Sequence, residues 1–445
     1  MTLLRWYGSP VAVVALAVCG CSFGVFSDLG DKAPAARITQ DNSGISSSNF
    51  GDHLVGLSRG GTSIGGLLAI TGNGDSAFAV ATVTGSAAVA HAETDDIKDQ
   101  LNDPTRITAM APAPSATAVD SAQGPFVYIG TISGAVGQVR VLDVSTVRKV
   151  TTYPAPIAPV QVVDFGLALA RAKLGGGGDR EDLVVGAKNA VVLMMRGAKW
   201  PYMLEDAEGH NTAAIVSNDG GDFSVVVTGD LDGSTTEQEV VAAAPAKNRV
   251  LLIHHVKDCF VDTTVTCQSV IQLPAPTGAS NFGAALLIAD VDSDKKPELV
   301  VGAPDVDKVY IYDLDSSHFD LTSPASLPTP TTLTASGADD FGAALAFGKV
   351  DDGAKPLLVV GAPGTEVSGS SSAGALYLFD SGLKQVGEAV ELAQPESKTQ
   401  LGRRLAIVPY RKAGLSDPLD VLAASGREAV FVFFANLTSS HKDIR

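Results

Sequence analysis

The chain has 445 residues, with 32 Lys and Arg against 49 Asp and Glu, and its formal net charge is −17. This charge argues against a nucleic-acid partner, because phosphate contacts depend on Lys and Arg that displace counterions. It suits a soluble protein in contact with divalent cations. The composition is rich in Gly, Ala, Val, Ser and Thr, which favours short strands joined by tight turns.

Residues 1–21 have the pattern of an export signal. Arg5 is their only charged side chain, and Val11–Val18 form an apolar core that is too short to span a bilayer. Cys21 follows a small residue and so resembles the cysteine of a bacterial lipobox, which is lipidated and becomes the mature N-terminus. Cys19 fits the pattern less well, and an ordinary cleaved signal is the alternative. We expect a lipoprotein of the bacterial cell envelope, held at the outer membrane by its lipid.

Residues 22–51 are rich in Ser, Gly and Asp and lack sustained alternation of apolar and polar residues. They predict a flexible tether between the lipid anchor and the folded body. The folded body is predicted at residues 52–436, and residues 437–445 are predicted to be a C-terminal tail.

The folded body repeats with a period of about 50–60 residues, which is typical of a repeat architecture. Each repeat begins with a Phe-Gly pair or a degenerate version of one. The starts are Ile64-Gly65, Ser115-Ala116, Phe165-Gly166, Phe223, Phe282-Gly283, Phe341-Gly342 and Leu401-Gly402. An earlier pair, Phe50-Gly51, gives a poorer register.

Seven units of about four strands predict an all-β fold, a seven-bladed β-propeller, because a single blade cannot bury both of its faces alone. The sixth repeat, for example, carries the segments FGAALAF, PLLVVGAP, GALYLFD and EAVELA. The last repeat ends at Val430–Phe434 without a fourth strand, and His53–Ser58 has no partner strand before it. We therefore expect this N-terminal strand to complete the last blade, which removes exposed sheet edges.

The fourth and fifth repeats each contain an acidic loop with the spacing of a Ca²⁺ loop, in which alternate oxygen ligands face one hard cation. The fifth-repeat loop has carboxylates at positions 1, 3, 5 and 9 and a backbone carbonyl at position 7. These ligands are Asp290, Asp292, Asp294, Glu298 and the carbonyl of Lys296. A solvated acidic hairpin is the alternative.

The fourth-repeat loop offers Asp230, Asp232 and Ser234, with Glu239 one residue later than the pattern requires. This loop must therefore bulge, or Glu237 must replace Glu239. The other five loops have lost most of their acidic residues, so we expect no useful metal affinity there.

Cys259 and Cys267 lie in one insertion after the third strand of the fourth repeat. Because export places the chain in an oxidising compartment, the two predict a local disulfide. Two free thiols are the alternative, and a zinc site is less favoured because no second Cys/His pair has suitable spacing.

The Phe-Gly pair, acidic loop and Gly-Ala-Pro of residues 281–313 resemble the FG-GAP repeat. This repeat is the blade unit of the β-propeller in integrin α subunits and in many bacterial surface proteins. The resemblance covers roughly residues 52–436 and is strongest in the fifth and sixth repeats. The fifth-repeat loop departs from the family pattern, with Lys295 where Gly is usual and Glu298 where Asp is usual.

The resemblance implies a monomeric, Ca²⁺-stabilised propeller that binds an extracellular or envelope protein or carbohydrate. In the family, calcium hairpins lie on one face of the ring, and partners commonly bind loops of the opposite face. The alternative is a propeller-scaffold hydrolase or polysaccharide lyase with its site at the channel mouth. Charged side chains or tyrosines converging there would favour the enzyme, and an apolar rim would favour binding.

Overall fold

The computed structural model describes residues 35–39, 50–58, 66–72, 78–84, 87–92, 106–113, 125–133, 136–144, 148–154, 162–174, 182–194, 213–217, 221–233, 237–254, 256, 259, 270–314, 327–350, 355–392, 394–410 and 419–433. The predicted export signal with Cys21 and the predicted tail at 437–445 lie outside these residues. In the part of the chain that is described, no helix has the length and hydropathy of a membrane span.

The regular secondary structure of the described residues is almost entirely β-strand, because β-branched and small apolar residues dominate these segments. In chain order the strands are β1 (Ala35–Thr39), β2 (Phe50–Ser58), β3 (Gly66–Gly72), β4 (Phe78–Thr84), β5 (Ala87–Ala92), β6 (Arg106–Ala113), β7 (Phe126–Ser133), β8 (Val136–Asp143), β9 (Arg148–Pro154), β10 (Ala168–Ala172), β11 (Asp182–Gly186), β12 (Ala190–Met194), β13 (Ala213–Ser217), β14 (Val225–Gly229), β15 (Glu239–Ala244), β16 (Arg249–Ile253), β17 (Val270–Leu273), β18 (Leu286–Ala289), β19 (Glu298–Ala303), β20 (Lys308–Tyr312), β21 (Thr331–Leu333), β22 (Ala344–Gly348), β23 (Leu357–Ala362), β24 (Ala375–Phe379), β25 (Arg404–Tyr410), β26 (Leu419–Ser425) and β27 (Ala429–Phe433). Two 3₁₀ turns, Pro245–Lys247 and Pro304–Val306, follow β15 and β19.

The described strands form seven antiparallel sheets, one for each blade. Blades 1 to 5 are β2–β5, β6–β9, β10–β13, β14–β17 and β18–β21, blade 6 is β22–β24, and blade 7 is β25–β27 with β1. The first strand of blades 1 to 7, here called the inner strand, is β2, β6, β10, β14, β18, β22 and β25. Each inner strand lies against those of its two neighbours, and β25 returns to β2. This closed ring confirms the predicted all-β, seven-bladed propeller.

The ring closes through an N-terminal strand in the last blade, as predicted, but the strand is β1. It pairs antiparallel with β27, from Ala35 opposite Phe433 to Thr39 opposite Ala429. His53–Ser58 belongs instead to β2, the inner strand of blade 1. The five residues of β1 are too few to show alternation, so the sequence predicts a tether there. Both β1 and the start of β2 lie within the predicted tether at 22–51.

The register of the first two repeats is also corrected. Phe50 is fully buried and Gly51 has φ +88°, matching Phe282 and Gly283 with φ +92°. Blade 1 therefore starts at Phe50-Gly51, and Ile64-Gly65 lies directly before β3, its second strand. Blade 2 begins with β6, ahead of the predicted start at Ser115-Ala116. Both predicted pairs lie outside the described residues. The apolar run of β3 imitates an inner strand, which explains the error.

Each repeat-start phenylalanine fills the space between its own blade and the preceding one. Phe282 packs against Val241 and Leu252 of blade 4, and its ring meets that of Tyr310 in blade 5 edge to face, with centroids 5.9 Å apart. A Cβ on Gly283 would lie 2.6 Å from the Cβ of Ala243. Glycine is thus required both for the positive φ and for the close approach of the two blades.

The outer edge of blade 6 differs from the prediction. EAVELA does not form a fourth strand, because only Val390 pairs with Leu376, in an isolated bridge. A turn with Gly387 at φ +70° precedes this segment and interrupts the pairing.

Candidate metal centres

The acidic loop of blade 5 connects β18 to β19, which are adjacent antiparallel strands with Ala289 opposite Glu298. Because both ends of the loop are anchored by the sheet, its first and last ligands start from neighbouring positions. Carboxylate oxygens of the four predicted acidic residues lie within 4.8 Å of one another. These residues are Asp290, Asp292, Asp294 and Glu298.

Backbone hydrogen bonds hold these carboxylates in place. Glu298 is buried, and its Oε2 accepts a hydrogen bond of 2.7 Å from the N–H of Val291. Asp290 Oδ2 accepts from the N–H of Lys295 at 3.1 Å, and Asp294 Oδ1 accepts from the N–H of Lys296 at 2.8 Å. Each of these carboxylates keeps a second oxygen for another partner.

One such oxygen indicates that the loop fits a cation. Asp290 Oδ1 is buried without a hydrogen-bond partner. A buried carboxylate oxygen in this state is costly unless a cation or a donor satisfies it. The donor set consists of hard oxygens, which suits Ca²⁺ or Mg²⁺ rather than a soft metal. The residues present therefore fit a divalent cation, and the Lys296 carbonyl stays a predicted ligand.

The electrostatics of this loop lead to the same interpretation. Burial is the main cause that raises the pKa of Glu298 to about 7. The neighbouring carboxylates of Asp292, Asp294 and Asp290 contribute to the rise, and the hydrogen bond from the Val291 N–H opposes it. Burial likewise raises the pKa of Asp292. Like charges held this close disfavour full ionisation, and a divalent cation would reverse that preference.

The blade 4 loop repeats this arrangement. Carboxylate oxygens of Asp230, Asp232 and Glu239 lie within 4.8 Å of one another. Glu239 Oε2 accepts from the N–H of Leu231 at 2.7 Å, its Oε1 is buried without a hydrogen-bond partner, and burial raises its pKa to about 7. Glu239 therefore closes this group, and Glu237 is not a member of it. Ser234 lies outside the described residues.

Two degenerate loops replace the missing ligands with hydrogen bonds. In blade 3, Asp182 Oδ2 accepts from the N–H of Leu174 at 2.9 Å, which is the bond that Glu298 makes in blade 5. In blade 6, position 1 is Lys349, and its N–H donates to Asp420 Oδ2 of blade 7 at 2.8 Å. Asp182 thus bonds the backbone of its own hairpin, whereas Asp420 bonds the blade 6 hairpin from the neighbouring blade.

The predicted cysteine pair is described only in part. Cys259 is buried in the apolar cluster shared by blades 3 and 4. Cys267 lies outside the described residues, so the disulfide stays a prediction.

Sequence reasoning missed a charged cluster where blade 7 meets blade 1. Arg403 Nη2 lies 2.7 Å from Asp52 Oδ1 in a salt bridge. The sequence does contain a signal for this cluster. Two arginines follow Leu401-Gly402, and Asp52 and His53 follow Phe50-Gly51. The blade 5 and 6 starts are followed by alanines at these positions.

Comparison with known proteins identifies one repeat directly. The family model described as FG-GAP repeat matches residues 282–314, which begin at the Phe-Gly pair of blade 5 and include its acidic loop. None of the curated proteins compared with the chain matches it significantly.

Proposed function

We propose that this chain, an FG-GAP propeller resembling that of integrin α subunits, is a calcium-binding module that binds a protein or carbohydrate outside the cytoplasm. The observation that carries the proposal is the agreement between two loops. In each, a buried glutamate accepts the same backbone hydrogen bond and closes a group of aspartates. Such agreement at equivalent positions of two blades is what a conserved ligand shell would require.

In this proposal Asp290, Asp292, Asp294 and Glu298 hold one Ca²⁺, and Asp230, Asp232 and Glu239 hold a second with Ser234. The ion supplies positive charge between carboxylates that otherwise repel one another. It also joins the end of an inner strand to the start of the next strand, which rigidifies that end of the ring.

Aliphatic side chains on four of the inner strands support a binding role. Leu54, Leu287, Leu345 and Leu405 are partly buried on the inner strands of blades 1, 5, 6 and 7. Aliphatic side chains of this kind give a binding surface contact area, and they supply no proton donor or nucleophile for catalysis.

Export, a lipid at Cys21 and location at the outer membrane complete the proposal, with the protein acting as a monomer. Because β1 is the outermost strand of blade 7, a tether ending there would leave both faces of the ring accessible. Metabolic labelling with a fatty acid should mark the full-length protein, and Cys21→Ala should abolish the label while Cys19→Ala keeps it. Equal labelling of the Cys21→Ala protein would contradict the anchor.

The binding role is tested with immobilised polysaccharides and extracellular proteins, presented with calcium or with chelator. We expect calcium-dependent retention of the full-length protein without turnover of the retained ligand, and weaker retention of Glu298→Gln. Release of new reducing ends or unsaturated sugars from a polysaccharide would instead establish the enzyme. Retention that is unaffected by chelator and by Glu298→Gln would separate calcium from binding and contradict the proposal.

A further inference from the structure

The seam between blades 7 and 1 contains more positive than negative charge. Asp52 is its only carboxylate among the described residues of this cluster, and its Oδ1 is engaged by Arg403 Nη2. Arg404 donates from Nε to the backbone carbonyl of Asp52 at 3.2 Å and from Nη1 to that of Arg403 at 2.9 Å. Both of these Arg404 hydrogen bonds therefore go to neutral backbone carbonyls, whereas the carboxylate of Asp52 is bound by Arg403.

The charge of Arg404 is poorly compensated by its surroundings. Burial among protein groups lowers the pKa of Arg404, the nearby Arg403 lowers it further, and Asp52 only partly opposes this. His53 adds no negative charge, because burial and the Arg404 charge lower its pKa to about 3 and leave the imidazole neutral. One carboxylate for two guanidinium groups leaves a net positive site.

Arg404 is nevertheless accessible to solvent. It is the first residue of β25, an inner strand. Its side chain is exposed to solvent, although other protein groups lie close to it. Arg404 lies two residues before Ala406 on β25, and Ala406 belongs to the cluster between blades 7 and 1. The exposed guanidinium is therefore at the edge of this seam, where neighbouring protein groups reduce the screening of its charge by water.

An apolar side chain near the Arg404 guanidinium restricts the kind of anion that this seam can bind. Leu54 lies two residues after Asp52 on β2. It is partly buried against the cluster between blades 7 and 1, to which Ala406 of β25 also belongs. The seam thus presents a guanidinium next to an aliphatic surface.

We infer that Arg404 binds the carboxylate of an aliphatic acid at the seam between blades 7 and 1, with Leu54 against the apolar part of the ligand. The inference rests on the proposed binding function and assigns one ligand group to it. The acid can be a free short-chain fatty acid or the C-terminal apolar residue of a polypeptide, and the probes below separate these sources.

The first test measures binding by thermal shift and isothermal titration with the full-length, calcium-loaded protein. The probes are butyrate and N-acetyl-leucine, and their neutral partners are 1-butanol and N-acetyl-leucinamide. We expect at least one carboxylate to bind and neither neutral partner to do so. Binding of only butyrate identifies the fatty acid, and binding of only N-acetyl-leucine identifies the chain end. Equal responses to acids and neutral partners, or no response at all, would overturn the inference.

Variants separate binding from a structural role of the cluster. Arg404→Gln should weaken the responding acid at least about tenfold, because a charge-assisted hydrogen bond is lost. Arg427→Gln, at an exposed arginine in the β26–β27 turn of the same blade, should bind normally. Asp52→Asn removes the competing carboxylate and should bind the acid more tightly, whereas a merely structural cluster predicts weaker binding or none.

Calcium stabilisation is measured on the same samples. An intact calcium response without carboxylate binding would overturn this inference and leave the proposed calcium module in place. Loss of the calcium response itself would count against the proposed function.

Discussion

At the residue scale, the blade 5 loop has backbone strain at Ser293 that glycine avoids at the matching position of the blade 4 loop. Ser293 and Lys295 have φ +69° and +76°, whereas Gly233, which matches Ser293 in position, reaches φ +79° as a glycine. A left-handed conformation costs a non-glycine residue about 1 kcal/mol. At this position the blade 5 loop therefore has a less favourable backbone, although its acidic group contains one more carboxylate.

We predict that Ser293→Gly raises the calcium affinity of the blade 5 loop about fivefold, the equivalent of about 1 kcal/mol. The reason is relief of strain at a position where blade 4 already has glycine. Calcium titration of the variant measures the change. Lys296→Gly is the matched control, because Lys296 is not among the positive-φ residues and gains nothing from glycine. Equal effects of the two substitutions would contradict the strain argument.

A second prediction concerns the pH dependence of the metal-free protein. The folded-state pKa of Glu298 and that of Glu239 are raised from 4.5 to about 7. A raised pKa contributes stability that is complete below the unfolded-state value and is lost as the pH rises through the folded-state value. The chelated protein should therefore melt at a lower temperature at pH 8 than at pH 5.

Glu298→Gln imitates the protonated carboxyl and tests the cause. In chelator at pH 8 it should melt above the parent protein, and with calcium it should melt below it. A melting temperature that rises from pH 5 to pH 8 in chelator would contradict the assignment of these two pKa shifts.

At the scale of elements, the turns that follow the second strands of blades 4 and 5 join these blades to the next ones. The 3₁₀ turn Pro245–Lys247 ends at Asn248, with φ +50°, and Asn248 Oδ1 accepts from the N–H of Phe282 in the next blade at 2.9 Å. Asp307, after the turn Pro304–Val306, accepts from the N–H of Phe341 in the same way at 3.1 Å. The Pro of these two repeats thus begins the turn that attaches the following blade.

Asn248 has two separable contributions, its left-handed backbone and its side-chain acceptor. Asn248→Gly keeps the backbone and should lose about 1 kcal/mol of unfolding free energy, from the hydrogen bond alone. Asn248→Ala loses both and should cost about 2 kcal/mol. Denaturant unfolding of the two variants checks the order. A glycine variant less stable than the alanine variant would contradict this division.

At the scale of the whole molecule, the ring depends on the five residues of β1. Ile38 is 2% exposed and joins the cluster between blades 7 and 1. Ile38→Asp should cost about 3 kcal/mol and release an open strand edge, since a charge replaces a buried side chain. Ile38→Val, the conservative control, should cost about 1 kcal/mol. An unchanged unfolding midpoint and monomeric elution of Ile38→Asp would mean that β1 does not close the ring.

The later repeats could be predicted because their signals are local. Phe282-Gly283 marks a blade start and Asp290 to Glu298 a cluster of carboxylates, since both depend on residue types at fixed spacing. Blade 1 could not be placed this way, because β3 has the same apolar pattern as an inner strand. The Asp52–Arg403 pair joins residues far apart in the chain, so only the closed ring reveals it. The sequence shows the extra residue before Glu239, but it does not show how the loop accommodates that residue.

The central claim is that the two acidic loops bind calcium and thereby stabilise the propeller. It is tested most directly by calorimetric titration of Ca²⁺ into chelator-treated full-length protein and into Asp292→Ala. Asp380→Ala is the control, because Asp380 accepts backbone hydrogen bonds in a turn of blade 6 outside both loops. We predict two binding events in the parent and the control, a higher melting temperature on loading, and loss of one event in Asp292→Ala. No binding heat and no thermal shift in the parent protein would show that both loops are only solvated hairpins.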